Sequence, residues 1–416
     1  MEIATTPTVQ SAIESVRQGI RNGDYRAGGV LPAESDLAIT FGVSRGTVRR
    51  AIEAMVETGE LVRRPHSRTI VNGYTRTRTA EAADEVQVWI SHPISDEPTL
   101  QFLKGISLGL AGSLYRMVVR EPSRFVKDVV HADERRFFTD MMSNERIAGA
   151  IIQRDVFAND ADLIEQLVQA GHALVFVDSP APNGIAADHV GTANVAATRR
   201  CIEHLLELGH TRIACLADTD IPFAVVERIR GYRRAMSQSR NEEFSRVIIA
   251  EQVSPADPTR MPLSGQFAQS LVRNPYFVDK GSRLASAVLA MDPLPSALFI
   301  CYDILAYWTC AFLEGAGIRI PEQMSVVGFD WIAGRERGLA DELTTANQDF
   351  AGFGRHAADL LIDRITGQLP PAPRHVQLDA PLVIRSSTLP YLSMPGIPPA
   401  NRSPGKDAPE LVYETS

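Results

Sequence analysis

The chain has 416 residues, 44% of them hydrophobic and 22% charged, which is enough for two or three soluble globular domains. No apolar run approaches the ~18 residues of a membrane span, and the stretch from Met1 to Pro7 lacks the basic head and apolar core of a secretory signal. Cys201, Cys215, Cys301 and Cys310 form no Cys-x-x-Cys pair and are too sparse for a disulfide scaffold, so reduced thiols in a cytoplasmic protein without a metal or other cofactor are expected.

The net charge of -8 argues against nucleic-acid binding by the chain as a whole, but the charge is unevenly spread. Residues 40–80 hold eight arginines against three acids, which leaves +5 there and -13 in the remainder. A basic segment on an acidic body is the electrostatic layout of a DNA-binding head joined to a regulatory body.

In chain order, Thr6 and Pro7 are suited to open a first helix, whose apolar stripe is Val9, Ala12, Ile13, Val16 and Ile20. A second helix is expected around Glu34 to Thr40, with Leu37, Ala38 and Phe41 facing the core. The third begins after Gly42 and the capping residue Ser44, and places Val48, Ala51, Ile52 and Met55 on one inner face. Gly46, Thr47, Arg49 and Arg50 point away from that face, with Arg45 on its flank. A packed helix carrying a small residue near its start and arginines outside is shaped to enter a major groove. Leu61 to Arg64 and Thr69 to Val71 read as a hairpin, so the first 72 residues form a winged helix-turn-helix.

The motifs Gly23-Asp24-Tyr25, Leu31-Pro32-Ala33-Glu34, Leu37-Ala38, Phe41-Gly42-Val43-Ser44-Arg45 and Thr47-Val48-Arg49 resemble the GntR family of bacterial transcription regulators. That resemblance implies operator contacts by Glu34, Ser35, Ser44, Arg45, Thr47 and Arg49. The wing departs from the family's Gly-x-Gly-Thr-Phe-Val tip, with His66-Ser67-Arg68-Thr69-Ile70-Val71 after Pro65. A differently shaped tip is therefore expected, with Arg64, His66 and Arg68 as candidate contacts to phosphate or minor groove. Residues 73–85 lack apolar periodicity and read as a linker.

From Val86 short apolar strands alternate with amphipathic helices, the pattern of parallel α/β layers. Strands are expected at Val86–Ile90, Tyr115–Val119, Gly149–Ile152, Leu174–Val177, Ile213–Leu216, Ala297–Ile300 and Val326–Phe329. Ligands of open α/β sheets bind beyond the carboxyl ends of strands, which singles out Ser91, Arg120, Asp178, Ser179, Asp303 and Asp330.

The segments Val175-Phe176-Val177-Asp178, His204 to Ile213, Glu227 to Tyr232, Ser325 to Asp330, Leu343-Thr344-Thr345 and Arg385 to Thr388 resemble the LacI family. The resemblance implies a two-lobed, periplasmic-binding-protein-like α/β domain over residues 86–389, with crossovers near residues 190, 347 and 375. It also implies an effector cleft contacted by Asp178, Arg228 and Asp303. Carboxylates and a guanidinium fork suit a polyhydroxylated ligand. Tyr302, Trp308, Phe329 and Trp331 are candidates for a stacking wall, and Tyr302-Asp303 replaces the family's usual Asn-Asp. Residues 390–416, rich in Pro, Ser and Gly, are expected to form a disordered tail.

The expected function is a ligand-responsive transcription regulator, in an arrangement similar to the arabinose-responsive repressors. Its expected partners are palindromic double-stranded operator DNA, a sugar-like effector and a second copy of the chain. A repressor is the first reading and an activator of the same architecture the alternative. A Schiff-base enzyme fusion would need a cofactor lysine, and the body offers only Lys104, Lys127 and Lys280. A transport-type binding protein would need an export signal and has no use for a basic head.

Overall fold

The computed structural model describes residues 7–21, 24–25, 30–57, 60–63, 69–71, 84–154, 160–218, 223–239, 244–254, 263, 275–330 and 342–391. Helix α1 (Pro7–Arg21) turns Val9, Ala12, Ile13 and Val16 inward, each at most 5% exposed. Helix α2 (Glu34–Phe41) ends at Gly42, whose φ of 66° is a left-handed cap that a side chain would strain. Helix α3 (Arg45–Glu57) starts where the Ser44 hydroxyl accepts the Thr47 N–H at 3.1 Å. Its inner stripe, Val48, Ala51, Ile52 and Met55, is at most 1% exposed and packs with Leu31, Leu37, Leu61 and Val71. Strands β1 (Leu61–Arg63) and β2 (Thr69–Val71) pair antiparallel, Leu61 opposite Val71. Arg17 grips Glu60 with two bonds of 2.7 and 2.8 Å, tying α1 to the start of that hairpin.

The body opens with β3 (Glu85–Ile90), α4 (Glu97–Gly109), β4 (Arg116–Arg120), α5 (Lys127–Ser143) and β5 (Ile147–Gln153). It continues with α6 (Ala161–Gln169), β6 (Ala173–Val177) and β7 (Asp188–Thr192). After Ala193 come α7 (Asn194–Glu207), β8 (Ile213–Ala217), α8 (Phe223–Gln238), β9 (Arg246–Ile249) and α9 (Pro275–Leu289). Next are β10 (Ala297–Ile300), α10 (Asp303–Gly315), β11 (Ser325–Asp330) and β12 (Thr344–Asn347), followed by α11 (Phe350–Ile365), β13 (His375–Leu378) and β14 (Leu382–Val383).

These strands form two six-stranded sheets. One has the order β13-β7-β6-β5-β3-β4 and is parallel throughout; the other has the order β14-β12-β11-β10-β8-β9, with only β14 antiparallel. The chain therefore changes sheet three times: at Ala193, between Asn347 and Phe350, and between Leu378 and Leu382. The sequence placed these crossovers within a few residues. It did not resolve β7, β9, β12, β13 or β14. Strands such as Asp188–Thr192 and Thr344–Asn347 are buried but polar, and their side chains are satisfied by bonds from distant residues, so they carry no apolar run. The first body strand begins at Glu85, inside the expected linker, and the body extends to Tyr391, whose N–H reaches Leu208 O at 2.7 Å. The rest of the linker before Asp84, and residues 392–416, lie outside the described residues.

Helices α4 and α11 approach backbone to backbone: a Cβ on Gly105 would stand 1.9 Å from Ala351 O, and one on Gly354 2.0 Å from Phe102 O. Beneath that contact Arg364 makes a two-pronged bond to Asp188, at 2.8 and 2.7 Å, and both side chains are almost fully enclosed. Arg364→Ala leaves the Asp188 carboxylate buried beside one remaining backbone donor, Arg374 N–H. The expected loss is about 3–5 kcal/mol, read as a lowered denaturation midpoint of the body in urea.

Candidate DNA interface and ligand cleft

On the head, α3 presents Arg45, Arg49 and Arg50 to solvent, with Gly46 exposed between them. Arg45 lies 3.6 Å from Glu34 at the start of α2, which sets two expected contact residues side by side. Arg49 pairs with Glu53 one turn on, at 3.0 Å, and Ser35 is exposed beside Asp36. Exposed pairs of this kind are worth little to stability and exchange readily for phosphate or base contacts. Thr47 corrects the outward orientation expected of it. It is 6% exposed, and its hydroxyl lies 2.8 Å from the Ser44 hydroxyl, so it completes the cap. Arg64, His66 and Arg68 lie outside the described residues.

In the body the candidates fall at the carboxyl ends of strands from both sheets. Arg228 of α8 is 3% exposed, with its guanidinium 3.8 Å above the Phe329 ring. Its Nε donates to Asn194 Oδ1 at 2.9 Å, and its Nη1 to the Cys301 carbonyl at 2.6 Å and to Asp330 Oδ1 at 2.9 Å. Asp330 also accepts from Gln348 Nε2 at 2.6 Å, while Gln348 Oε1 accepts from the Thr192 hydroxyl. Asn194 Nδ2 donates back to the Thr192 carbonyl at 3.3 Å, closing a ring of buried polar groups. The ring joins the first crossover (Thr192, Asn194), the second (Gln348) and the strand ends beyond β10 and β11.

Asp178, at the end of β6, has φ 66°, and Asp330 has φ 112°; among the described residues only Asn183 shares this trait outside glycine. Left-handed backbone at a non-glycine residue costs on the order of 1–3 kcal/mol and marks functional sites. Asp178 Oδ1, Ser179 Oγ and Gln153 Oε1 are buried without a hydrogen-bond partner among the described residues. Three unsatisfied oxygens at the ends of β5 and β6 are what a polar ligand would satisfy. Burial pushes the Asp330 carboxyl up to about 6, the Arg228 charge partly opposing it and the Asp178 charge adding to it.

Several expectations change. Asp303 is 2% exposed, accepts from the Thr345 hydroxyl at 2.8 Å, and sits where a Cβ on Gly328 would clash at 2.1 Å. It is locked into its own lobe rather than presented to the cleft. Arg120 lies on the edge strand β4, exposed and without an ion pair among the described residues, away from the ring. Ser91 is 5% exposed, its hydroxyl 3.4 Å from His92 Nδ1. Trp308 is wholly buried core, Phe329 lies under Arg228, and Trp331 is outside the described residues. Tyr302 is half-buried at the end of β10; its hydroxyl bonds Asp218 and its ring lies edge-on to Phe277. Reading the sequence missed Thr192 and Gln348, whose only signal is a polar residue at a lobe crossover.

Comparison with known proteins matches residues 8–71 to the bacterial regulatory proteins of the gntR family and residues 202–388 to the periplasmic binding protein-like domain. The chain is a GntR-type head fused to a periplasmic-binding-protein-like body. Among its relatives is the HTH-type transcriptional regulator CelR of Thermobifida fusca, 26% identical over 366 residues, covering 86% of this chain and 98% of that one. The HTH-type transcriptional repressor PurR of Vibrio cholerae is 27% identical over 244 residues, 56% of this chain and 62% of that one. The lac repressor dimer bound to operator and an anti-inducer has the same fold over 74% of this chain and 96% of that one, with a TM-score of 0.58 at 19% identity. The CelR–cellobiose complex superposes over 86% of this chain and 100% of that one, with a TM-score of 0.55 at 21% identity. No helix among the described residues is long and apolar enough to cross a membrane.

Because its folded carboxyl titrates above the ordinary range, the stability that Asp330 contributes is full below about pH 4 and is lost as pH rises through about 6. Wild-type stability relative to Asp330→Asn should therefore fall between pH 4 and 7 and then stay level. Melting curves across that range test it, and a flat difference refutes it.

Proposed function

We propose that this chain is a ligand-responsive transcriptional repressor that binds palindromic operator DNA as a dimer and releases it when a sugar or related small molecule occupies the cleft. Supporting this is the combination, in one chain, of exposed arginines on a capped, packed helix and a buried polar ring between two lobes. The ring makes the reading mechanical. A ligand that takes over bonds of Asp178, Asp330 or Gln348 changes the relative setting of the two lobes at the crossovers, and lobes paired in a dimer transmit that change to the spacing of the heads. The chain acts in the cytoplasm and catalyses no reaction, a reading supported by the description of its relatives as transcriptional regulators and repressors.

In the head, Arg45 and Arg49 read or grip the operator, and Glu34 orients Arg45 when DNA is absent. Arg45→Ala should weaken operator binding by about 1–3 kcal/mol in a gel shift; unchanged affinity would remove Arg45 from the interface. In the body, Arg228→Ala opens the polar ring. The variant should keep binding operator but no longer release it with any sugar that releases the wild type. Equal release from both would show that the ring plays no part in sensing.

A further inference from the structure

The polar ring does not fill the space between the lobes. Beside it, between β7 and β13 on one side and α7 and α8 on the other, lies a cavity of about 310 Å³ that shares Asp178, Thr192 and Asn194 with the cleft. Its floor is His189, 8% exposed, on the strand that leads into the first crossover. His189 Nε2 lies 3.2 Å from the Asp178 carbonyl, which can only accept, so that nitrogen carries the hydrogen and the neutral ring leaves Nδ1 as an acceptor. Burial keeps the ring neutral by lowering its pKa.

The ring is held by Phe223 of α8, edge-on at 6.5 Å, and by His375 of β13 at 6.0 Å, while Gly191 leaves room for it: a Cβ there would stand 2.7 Å from His189 Cε1. Asp178, one of whose buried oxygens has no partner among the described residues, lines the cavity together with Thr192 and Asn194 of the polar ring. Gln377, Arg199, Glu227 and Arg234 add donors and acceptors of both signs around the rim. The volume stands at the lower end of the roughly 300–1,000 Å³ of small-molecule sites. The lining mixes acceptors and donors without a dominant charge, as hydroxyl-bearing rings require.

We propose that this cavity is a second compartment of the effector cleft, taking a further hydroxylated ring of a linked sugar, with His189 as the residue that selects it by accepting a hydroxyl hydrogen bond at Nδ1. The inference rests on the sugar-cleft reading above and deepens it: the effector is longer than one sugar ring and spans Asp178. The same contact makes His189 a positioning residue for Asp178, since its bond to the Asp178 carbonyl supports the left-handed backbone there.

Titration calorimetry on the full chain tests it, with glucose, galactose, xylose and the disaccharides cellobiose, lactose, maltose and xylobiose as probes. At least one disaccharide should bind about tenfold or more tightly than its component rings. Ala196→Phe, which plugs the cavity from the exposed side of α7, and His189→Phe, which removes the acceptor, should each erase that preference. His189→Gln, which keeps an acceptor, should retain most of it. A wild type that prefers no disaccharide over its single ring, or an Ala196→Phe variant with the wild-type preference, overturns the second compartment while leaving the cleft in place. A wild type that binds none of these sugars overturns both.

Discussion

A buried guanidinium needs partners for its enclosed donors, and the body is arranged around meeting that demand at Nε and Nη1 of Arg228. Its fork reaches Asn194, the Cys301 carbonyl and Asp330, and its face covers Phe329. Moving the charge out of water costs several kcal/mol before these contacts return it, so the partners cannot drift independently. Three of the groups in the resulting ring, Thr192, Asn194 and Gln348, belong to chain crossings between the lobes. The crossings between the lobes are therefore tied together by hydrogen bonds, and on the proposed reading a ligand that competes for those bonds acts on them directly.

Two neighbouring features distinguish the cleft. Asp178 and Asp330 both hold left-handed backbone, and oxygens at the ends of β5 and β6 have no partner among the described residues. Each is a cost that the sheets around them over-determine. A ligand that satisfies the oxygens would recover part of that cost, giving the occupied state an energetic preference that an already satisfied cleft could not supply. The head is built the other way. Its core stripe and its Ser44–Thr47 cap are complete in themselves, and Arg45 and Arg49 are exposed and held by weak pairs. On the proposed reading, recognition is ready-made in the head and conditional in the body.

Much of this could be read along the chain because it depends on periodicity and local chemistry. The three head helices, the glycine stop at Gly42, the Ser44 cap and the hydrophobic strands of both sheets each leave a signal within a few residues. The side of the sheets on which ligands bind follows equally from strand order and direction. Residues such as Asp178 and Arg228 stood out through local motifs; Arg228 lies in the polar ring and Asp178 carries one of the oxygens without a partner among the described residues. Asp303 stood out just as clearly and is turned into its own lobe by Thr345 and the space at Gly328.

The sequence by itself determined a basic helical head and an acidic α/β body, and it pointed to the carboxyl strand ends as the proposed place for ligand groups, since each follows from short-range pattern and charge. Only the tertiary structure decided which of those groups meet. Thr192, Asn194, Arg228, Asp330 and Gln348 are spread over more than 150 positions, and no local pattern announces that crossovers bring them together. Thr47 and Asp303 make the same point in reverse: a hydroxyl on an outward-looking helix and a carboxylate at a strand end were claimed by neighbours through packing. Periodicity selects the faces of helices and strands, but a polar side chain goes to whichever partner the completed fold places within hydrogen-bond reach.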